Sequence, residues 1–406
     1  MSFELTYTYV DGGIIAPQGF LAAGVSAGIK KSGKRDVCLL AAKESVPAAG
    51  VFTLSSMAAP PVVVSRAHLA NGHARAVITN SGNANACTGE QGLADAVSMA
   101  AATADALGCS PDEVVVASTG VIGVRLPMEA VLGGISDVAA ALDSKGGDNA
   151  AQAIMTTDTF PKQIAVQFEC DGQTYRVGGM AKGSGMIMPN MATMLAYVTT
   201  DAPLDPNACD AALRSAVDVT FNRITVDSDT STNDMCLLMA SGAGGGMEIA
   251  TSSPTYPQVA AAIHHVCSEL ARMVVRDGEG ATKFIEVTVR GAETDAEARD
   301  AAMSIANSPL FKTAIFGGDA NWGRVVMAVG KSSATVEQSK VDVTFAGITT
   351  CKDGTGFDFD EDAAAEALAR DEIEVVVDLG LGEGACTVWT CDLSYEYVRI
   401  NGDYRT

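Results

Sequence analysis

Histidine is scarce in this chain: the 406 residues include only His68, His73, His264 and His265. None of them has the spacing to a cysteine or to another histidine that zinc sites use, and the adjacent pair lies in a stretch with helical periodicity. A serine-histidine-aspartate triad would have to recruit one of these four side chains. We therefore expect no zinc site, no resident cofactor, and a catalytic base other than histidine.

Several targeting and binding patterns are also missing. The ten cysteines include no Cys-x-x-Cys pair, which predicts buried, reduced thiols. No glycine-rich loop ends in Gly-Lys-Ser/Thr, so a P-loop is not expected. The uncharged stretches 45–65 and 183–200 contain proline and polar residues, which argues against membrane spans. Residues 1–9 lack the basic and apolar regions of a signal peptide, so we expect a cytoplasmic protein.

Acidic residues greatly outnumber basic ones, 49 against 27, for a formal charge of −22. This charge repels phosphate backbones and anionic lipid surfaces, so neither nucleic acid nor a membrane is expected as a partner. The length favours two domains, or one large domain split by insertions.

The periodicity predicts a mixed α/β (α+β) fold. Extended, β-branched runs occur at 36–40, 74–79, 113–117, 164–168, 284–289 and 372–377. Stretches with helical spacing occur at 93–107, 205–219, 259–275 and 295–305. Asp171-Gly172 between two extended runs predicts a hairpin, so the sheet is not simply parallel.

Hydroxyl and amide side chains dominate the polar loops, and Thr193 is a candidate nucleophile among them. An α-amino group titrates near ~8 and can accept the proton of an adjacent hydroxyl. The small Ala192 before Thr193 leaves room for the hydroxyl to attack the preceding carbonyl. On pattern alone, a threonine before a strand-like run is an ordinary packing residue.

Several long motifs occur in one order along almost the whole chain. They are 80–89 (NSGNANACTG), 118–123 (STGVIG), 156–159 (TTDT), 182–201, 221–234 (FNRITVDSDTSTND), 276–283 (RDGEGATK), 318–324 (GDANWGR) and 401–406. On these motifs the chain closely resembles the ornithine acetyltransferase family, the glutamate N-acetyltransferases of arginine biosynthesis. The resemblance implies layered sheets and helices of the N-terminal-nucleophile-like type.

The resemblance further implies self-cleavage between Ala192 and Thr193, which gives an alpha chain (1–192) and a beta chain (193–406) that stay associated. Thr193 would take acetyl from N-acetylornithine, release ornithine and pass the acetyl group to glutamate through a covalent ester. Two copies of each chain are expected in the assembly. Acetyl-CoA as a second acetyl donor stays open.

The same resemblance implies roles for individual residues. Thr119 and Gly120 would form the oxyanion hole, at a strand end that could equally be an ordinary turn. Substrate contacts are expected from Thr156, Lys182, Thr193, Glu279, Asn401 and Thr406, with Thr157 and Thr159 as alternatives to Thr156. Lys182 is predicted to lie in a glycine-rich loop, where a lysine is commonly solvated.

Two other functions are compatible with these residues. An N-terminal-nucleophile amidohydrolase or aminopeptidase would use the same threonine but discharge the acyl group to water. A non-catalytic binding protein could keep the fold, although it would then be expected to have lost Thr193.

Overall fold

The structure, a computed structural model, describes residues 6–188 and 194–403. The strands of this part are β1 (Thr8–Tyr9), β2 (Phe20–Val25), β3 (Val37–Phe52), β4 (His73–Asn83), β5 (Val114–Val121), β6 (Lys162–Cys170), β7 (Gln173–Lys182), β8 (Leu195–Thr200), β9 (Met235–Ala240), β10 (Phe284–Ala292), β11 (Asp342–Phe345), β12 (Ile348–Lys352), β13 (Thr355–Gly356), β14 (Glu372–Asp378) and β15 (Gly384–Cys391). The helices are α1 (Pro60–His68), α2 (Gly89–Leu107), α3 (Met128–Ala140), α4 (Gly147–Ile154), α5 (Pro206–Val219), α6 (Tyr256–Arg276), α7 (Asp295–Ala306), α8 (Pro309–Phe316), α9 (Trp322–Gly330), α10 (Glu361–Leu368) and α11 (Tyr395–Asp403).

These elements confirm the mixed α/β prediction. Every predicted strand and helix lies inside an observed one, except that 36–40, 113–117 and 205–219 begin one residue early, and several observed elements extend further than predicted. The predicted hairpin joins the antiparallel strands β6 and β7. Asp171 and Gly172 have φ angles of 50° and 74°, the left-handed conformation that the favoured two-residue hairpin turns require.

The larger sheet has nine strands in the order β1-β6-β7-β8-β9-β3-β4-β5, with β2 paired to β3. Strand β3 is long enough to serve both halves: its first part pairs with β2 and β4, and its last part, from Ala48 to Phe52, pairs with β9. The pairing register shifts between Ala41 and Val46, so the sheet changes direction there. The two halves consequently fold over each other.

Alternating side chains build three packed interfaces from this sheet. Val166, Val198 and Leu238 point toward α5 and α6. The opposite face, with Tyr197 and Leu237, packs on the inner face of the β2–β5 half and on α4. The outer face of that half packs on α2 and α3. The arrangement is a four-layer α/β/β/α sandwich, each layer burying the apolar face of the next.

The smaller sheet has six strands in the order β13-β12-β11-β14-β10-β15 and its own apolar core, formed with α7, α8, α9 and α10. Helix α11 follows it and returns to the larger sheet, where Tyr397 donates a hydrogen bond to Asp227. No helix within 6–188 and 194–403 has the length and apolar character needed to cross a bilayer.

Candidate active site

A cavity of about 180 Å³ lies at one edge of the sandwich and gathers residues from distant parts of the chain. Strands β4 and β5 are parallel and end there, β7 ends there, and β8 begins there. Its lining includes Thr119, Gly120, Thr156, Thr157, Lys182, Gly185, Met194, Leu195, Asp227, Asp229, Asp234, Glu279, Tyr397 and Asn401. The cavity therefore brings together six of the predicted site residues: Thr119, Gly120, Thr156, Lys182, Glu279 and Asn401. The other predicted residues, Ala192, Thr193 and Thr406, lie outside the described residues.

Gly120 occupies a position that only glycine fits. Its φ angle is 131°, and a Cβ atom there would lie 2.4 Å from the carbonyl carbon of Gly82 and 2.5 Å from the nitrogen of Asn83. The ends of β4 and β5 can approach this closely because Gly120 lacks a side chain. The peptide of Thr119 and Gly120 is thereby held at the cavity wall.

Lys182 departs from the sequence prediction in its setting. It is the last residue of β7, pairs with Leu195 at the start of β8, and is only 8% exposed, so it is neither in a loop nor solvated. Its ammonium group donates to Thr119 Oγ1 over 3.4 Å. Burial lowers the pKa of Lys182, and the carboxylate of Asp158 opposes that shift. The prediction of a loop was wrong because the glycines that suggested it begin one residue later.

Behind Lys182 lies a buried ion triad, formed by Lys162, Asp158 and Asp277. The ammonium group of Lys162, with 0% side-chain exposure, is 2.6 Å from Asp158 Oδ1 and 2.5 Å from Asp277 Oδ2. Burial alone would raise the pKa of Asp158, but the ammonium groups of Lys182 and Lys162 outweigh it and hold that pKa at about 2. The triad is thus a charged structure behind the lining of the cavity.

The triad fixes two segments of the lining. Asp158 accepts backbone hydrogen bonds from Gly183 over 2.7 Å and from Thr156 over 2.9 Å. Asp277 accepts from the backbone and the hydroxyl of Thr159, which faces away from the lining. The structure therefore removes Thr159 from the candidates, while Thr156 and Thr157 both line the cavity.

Glu279 reaches the cavity from the segment after α6. Its backbone nitrogen donates to the carbonyl of Ser184 over 2.9 Å, and its carboxylate accepts from Asn401 Nδ2 over 2.8 Å. A Cβ atom at Gly185 would lie 2.3 Å from the carboxylate, so this approach requires glycine. Glu279 and Asn401 are therefore placed as a hydrogen-bonded pair.

The motif 221–234 contributes both hydrogen bonds that hold the lining and residues of the lining itself. Asp227 accepts from the backbone nitrogens of Met186 and Ile187 over 2.6 and 2.8 Å and from the Tyr397 hydroxyl over 3.3 Å. Burial, followed by the charge of Asp227, raises the pKa of Tyr397. Asp234 lines the cavity at 2% exposure.

Sequence reasoning gave no individual role to Asp158, Lys162, Asp227, Asp234 or Asp277. All of them except Lys162 lie inside the motifs that carry the family resemblance, and this membership is the sequence feature that could have identified them as candidates. Lys162 lies outside the motifs, and although Asp158 is near it in sequence, its second partner Asp277 is distant, so the triad has no local signal.

The arrangement suits chemistry on a small, charged amide substrate. Among the described residues the lining offers one ammonium group, several carboxylates, hydroxyls and a glycine-containing strand end, around a cavity of about 180 Å³. None of the four histidines, all in the described part of the chain, lines it. Any base acting here must be another group.

Comparison with known proteins agrees with this geometry. The model of the ArgJ family matches residues 21–406. A protein named arginine biosynthesis bifunctional protein ArgJ, from Symbiobacterium thermophilum, is 52% identical over 98% of this chain and 100% of its own length. Another of that name, from Caldanaerobacter subterraneus subsp. tengcongensis, is 48% identical over 98% of this chain and 99% of its own length.

A crystal structure of the arginine biosynthesis bifunctional protein argJ from Bacillus halodurans is 44% identical, covering 51% of this chain and 97% of that chain, with a TM-score of 0.49. The resemblance predicted from the sequence is confirmed by the family match and by the full-length relatives. The chain belongs to the ArgJ family.

Proposed function

We propose that this protein transfers the acetyl group of N-acetylornithine to glutamate, as an acyltransferase of arginine biosynthesis, through an acetyl ester on Thr193. The observation that carries the proposal is the cavity, which gathers Thr119, Gly120, Lys182, Glu279 and other predicted site residues from separate elements. Family membership and the name shared by full-length relatives support the same pathway.

The reaction needs two acyl transfers at one hydroxyl. In the first, Thr193 Oγ bonds to the acetyl carbon, the amide C–N bond breaks, and the nitrogen leaves with a proton as the amine of ornithine. In the second, the glutamate amine attacks the ester and the hydroxyl of Thr193 is restored. Met194, the covalent neighbour of Thr193, lines the cavity, which supports this choice of nucleophile.

Each surrounding group has a role in this scheme. The peptide of Thr119 and Gly120 stabilises the oxyanion at the acyl carbon, the position that such donors must occupy. Lys182 pairs with a substrate carboxylate, and Glu279, supported by Asn401, binds the ornithine ammonium group. Thr156, which also lines the cavity, provides a further hydrogen bond.

Cleavage between Ala192 and Thr193 supplies the base, because it frees an α-amino group beside the Thr193 hydroxyl. The fragments would have 192 and 214 residues (406 − 192). Strands β8 and β9 of the second fragment lie between β7 and β3 of the first. Continuous hydrogen bonding across the sheet supports fragments that remain associated.

Intact masses under denaturing conditions test this proposal. Wild-type protein and the variants Thr193→Ala and Thr174→Ala are weighed before and after brief exposure to N-acetylornithine. We expect two fragments in the wild type, an uncut chain in Thr193→Ala, and one added acetyl group on the fragment that begins with Thr193.

Thr174→Ala is the matched control, since Thr174 lies on the exposed β6–β7 hairpin and bonds only to Glu169 among the described contacts. It should behave as the wild type does. A wild type that remains uncut and unacetylated would contradict the proposed nucleophile.

Three further features are predicted from the family resemblance. Acetyl-CoA would serve as a second acetyl donor, in line with the word bifunctional in the names of the relatives. The assembly would contain two copies of each fragment, and its location would be the cytoplasm. Acetylation of glutamate from acetyl-CoA and native mass measurement test the first two.

A further inference from the structure

Asp234 differs from the other carboxylates around the cavity. It is only 2% exposed, and its Oδ2 atom is buried without a hydrogen-bond partner. Asp227, in contrast, accepts hydrogen bonds from Met186, Ile187 and Tyr397, and Asp229 is exposed to solvent. A buried carboxyl oxygen without a partner, in the lining of a cavity, is available to a ligand.

Within 6–188 and 194–403, no cation forms an ion pair with Asp234. The ammonium group of Lys182 is the charge that acts on it, but among the described residues no ion pair joins the two, and Lys182 donates instead to Thr119. The carboxylate of Asp158 also interacts electrostatically with the ammonium group of Lys182. An unpaired buried carboxylate is costly, and the neutral acid relieves that cost.

The titration behaviour agrees with this geometry. Burial raises the pKa of Asp234 well above its ordinary value, and hydrogen bonds from Ser231 and the charge of Lys182 offset only part of that shift. The other ionisable groups that face this part of the cavity are Glu279, Asp227, Asp229 and Tyr397. These add negative charge or none, so they do not favour an ionised Asp234.

The position of Asp234 is firmly held. Its own carbonyl accepts from the backbone nitrogen of Thr53 over 3.0 Å. The preceding residue, Asn233, donates to the carbonyls of Ala84 and Ser118 over 2.6 and 2.9 Å. The next residue, Met235, donates to the carbonyl of Met194 over 2.9 Å. The backbone that carries the carboxyl group is thus held between the end of β5 and the start of β8.

We propose that Asp234 is a specificity-determining residue for the acceptor, which as a neutral acid donates a hydrogen bond from Oδ2 to the carboxylate that glutamate has and ornithine lacks. This inference rests on the proposed function. Glutamate brings two carboxylates into a cavity that has one ammonium group, Lys182, and the carboxylates of Glu279 and Asp227 in its walls. A second anion-binding donor that carries no negative charge resolves this imbalance.

The test compares Asp234→Asn, Asp234→Ala and the control Asp171→Asn. Asparagine keeps a neutral hydrogen-bond donor of the same shape, whereas alanine removes it. Two rates are measured: formation of the acetyl-enzyme from N-acetylornithine, and kcat/KM for glutamate as the acceptor, each from pH 6 to pH 10 on the mature protein.

We expect Asp234→Asn to stay within about threefold of the wild type near pH 7, because a neutral donor remains. Asp234→Ala should lose roughly tenfold or more in kcat/KM for glutamate, with a much smaller change in acetyl-enzyme formation. The ratio of wild-type to Asp234→Asn activity toward glutamate should fall as the pH rises, because only the aspartate ionises. Asp171→Asn, on the exposed hairpin, should match the wild type throughout.

An Asp234→Asn variant as impaired as Asp234→Ala would overturn the inference, since the carboxylate would then act as an anion. Equal losses in both half-reactions for Asp234→Ala would overturn it as well. A wild type that forms no acetyl-enzyme, or passes no acetyl group to glutamate, would overturn the proposed function itself. This outcome is distinguishable from a failure of the inference about Asp234, because it is seen in the wild type alone.

Stability provides a readout that is independent of activity. The folded protein holds a proton on Asp234 that the unfolded chain releases above about pH 4, so its stability falls as the pH rises from there toward the raised pKa. Asp234→Asn should therefore gain in urea midpoint relative to the wild type, and the gain should be larger at pH 8 than at pH 5. A loss of equal size at both values would contradict a neutral Asp234.

Discussion

The two sheets of this protein differ in what they bury. The nine-stranded sheet and its flanking segments bury the ionisable groups Asp158, Lys162, Lys182, Asp234 and Asp277, most of them beside the cavity. The core of the six-stranded sheet consists of apolar side chains, with two buried charged residues outside that cluster: Lys312, which donates to the carbonyl of Val226, and Asp392.

The comparison shows where this fold buries ionisable groups despite the free energy that their burial costs. Burying charge costs free energy that hydrogen bonds and ion pairs must offset, so an apolar core is the simpler way to gain stability. In the larger sheet the buried ionisable groups lie at one edge, where they shape a cavity. The smaller sheet provides packing and carries α11 back to that cavity.

The largest stability effect should come from breaking the ion triad. In Lys162→Met, Asp158 and Asp277 remain buried without their shared cation, which should lower the free energy of unfolding by roughly 3–5 kcal/mol in urea titrations. The matched control is Lys340→Met, because Lys340 pairs with Glu337 at the surface with 44% side-chain exposure. Its loss should be about 1 kcal/mol or less, and equal losses would refute the contrast between the two regions.

Gly120→Ala should mainly affect activity. The added Cβ atom would have to move the backbone of Gly82 or Asn83, displacing the proposed oxyanion donors, and we expect kcat to fall by about 100-fold or more. Gly123→Ala is the control, with a φ angle of 79° but nothing within 4 Å of the added atom. Comparable kcat losses in both variants would assign the effect to backbone strain and not to the close approach.

A smaller effect is expected at the contact between α11 and the cavity. Asn401→Ala removes the hydrogen bond to the carboxylate of Glu279, and kcat/KM for N-acetylornithine should fall by roughly tenfold. The control Asn207→Ala changes an exposed residue of α5 and should leave steady-state kinetics unchanged. An Asn401→Ala variant with unchanged kcat/KM would show that α11 does not contribute to substrate binding.

The smallest effect tests the six-stranded sheet as scaffold. Ile285→Val removes one buried methylene from its core and should cost about 1 kcal/mol of unfolding free energy, with kcat/KM unchanged. Urea titration and steady-state kinetics on the same preparation check both parts. A clear loss of activity at full stability would mean that this sheet does more than support the site.

Local sequence patterns predicted the elements well and their connections poorly. The run from Val114 to Ala117 and the helix containing His264 follow from β propensity and helical spacing. Strand β3 continues through Lys43, Glu44 and Pro47, residues that are depleted in strands, because its two parts are held by pairing with β2 and β4 on one side of this stretch and with β9 on the other. The sheet order has no local signal at all.

Only those site residues that lie in family-like motifs could be predicted from the sequence. Family-like motifs located Thr119, Gly120, Lys182 and Glu279, and the structure gathers them in one cavity. The pairing of Lys162 with Asp277, or the free oxygen of Asp234, depends on burial and on contacts between distant segments. Such properties arise only once the chain is folded.

Transfer of labelled acetyl tests the central claim most directly. Mature protein is incubated with N-acetylornithine carrying carbon-13 in its acetyl group, together with glutamate, and the products are followed by mass spectrometry and NMR. We predict labelled N-acetylglutamate and ornithine in equal amounts, with little free acetate. Labelled acetate as the main product would identify a hydrolase, and unconsumed N-acetylornithine would contradict the proposed donor.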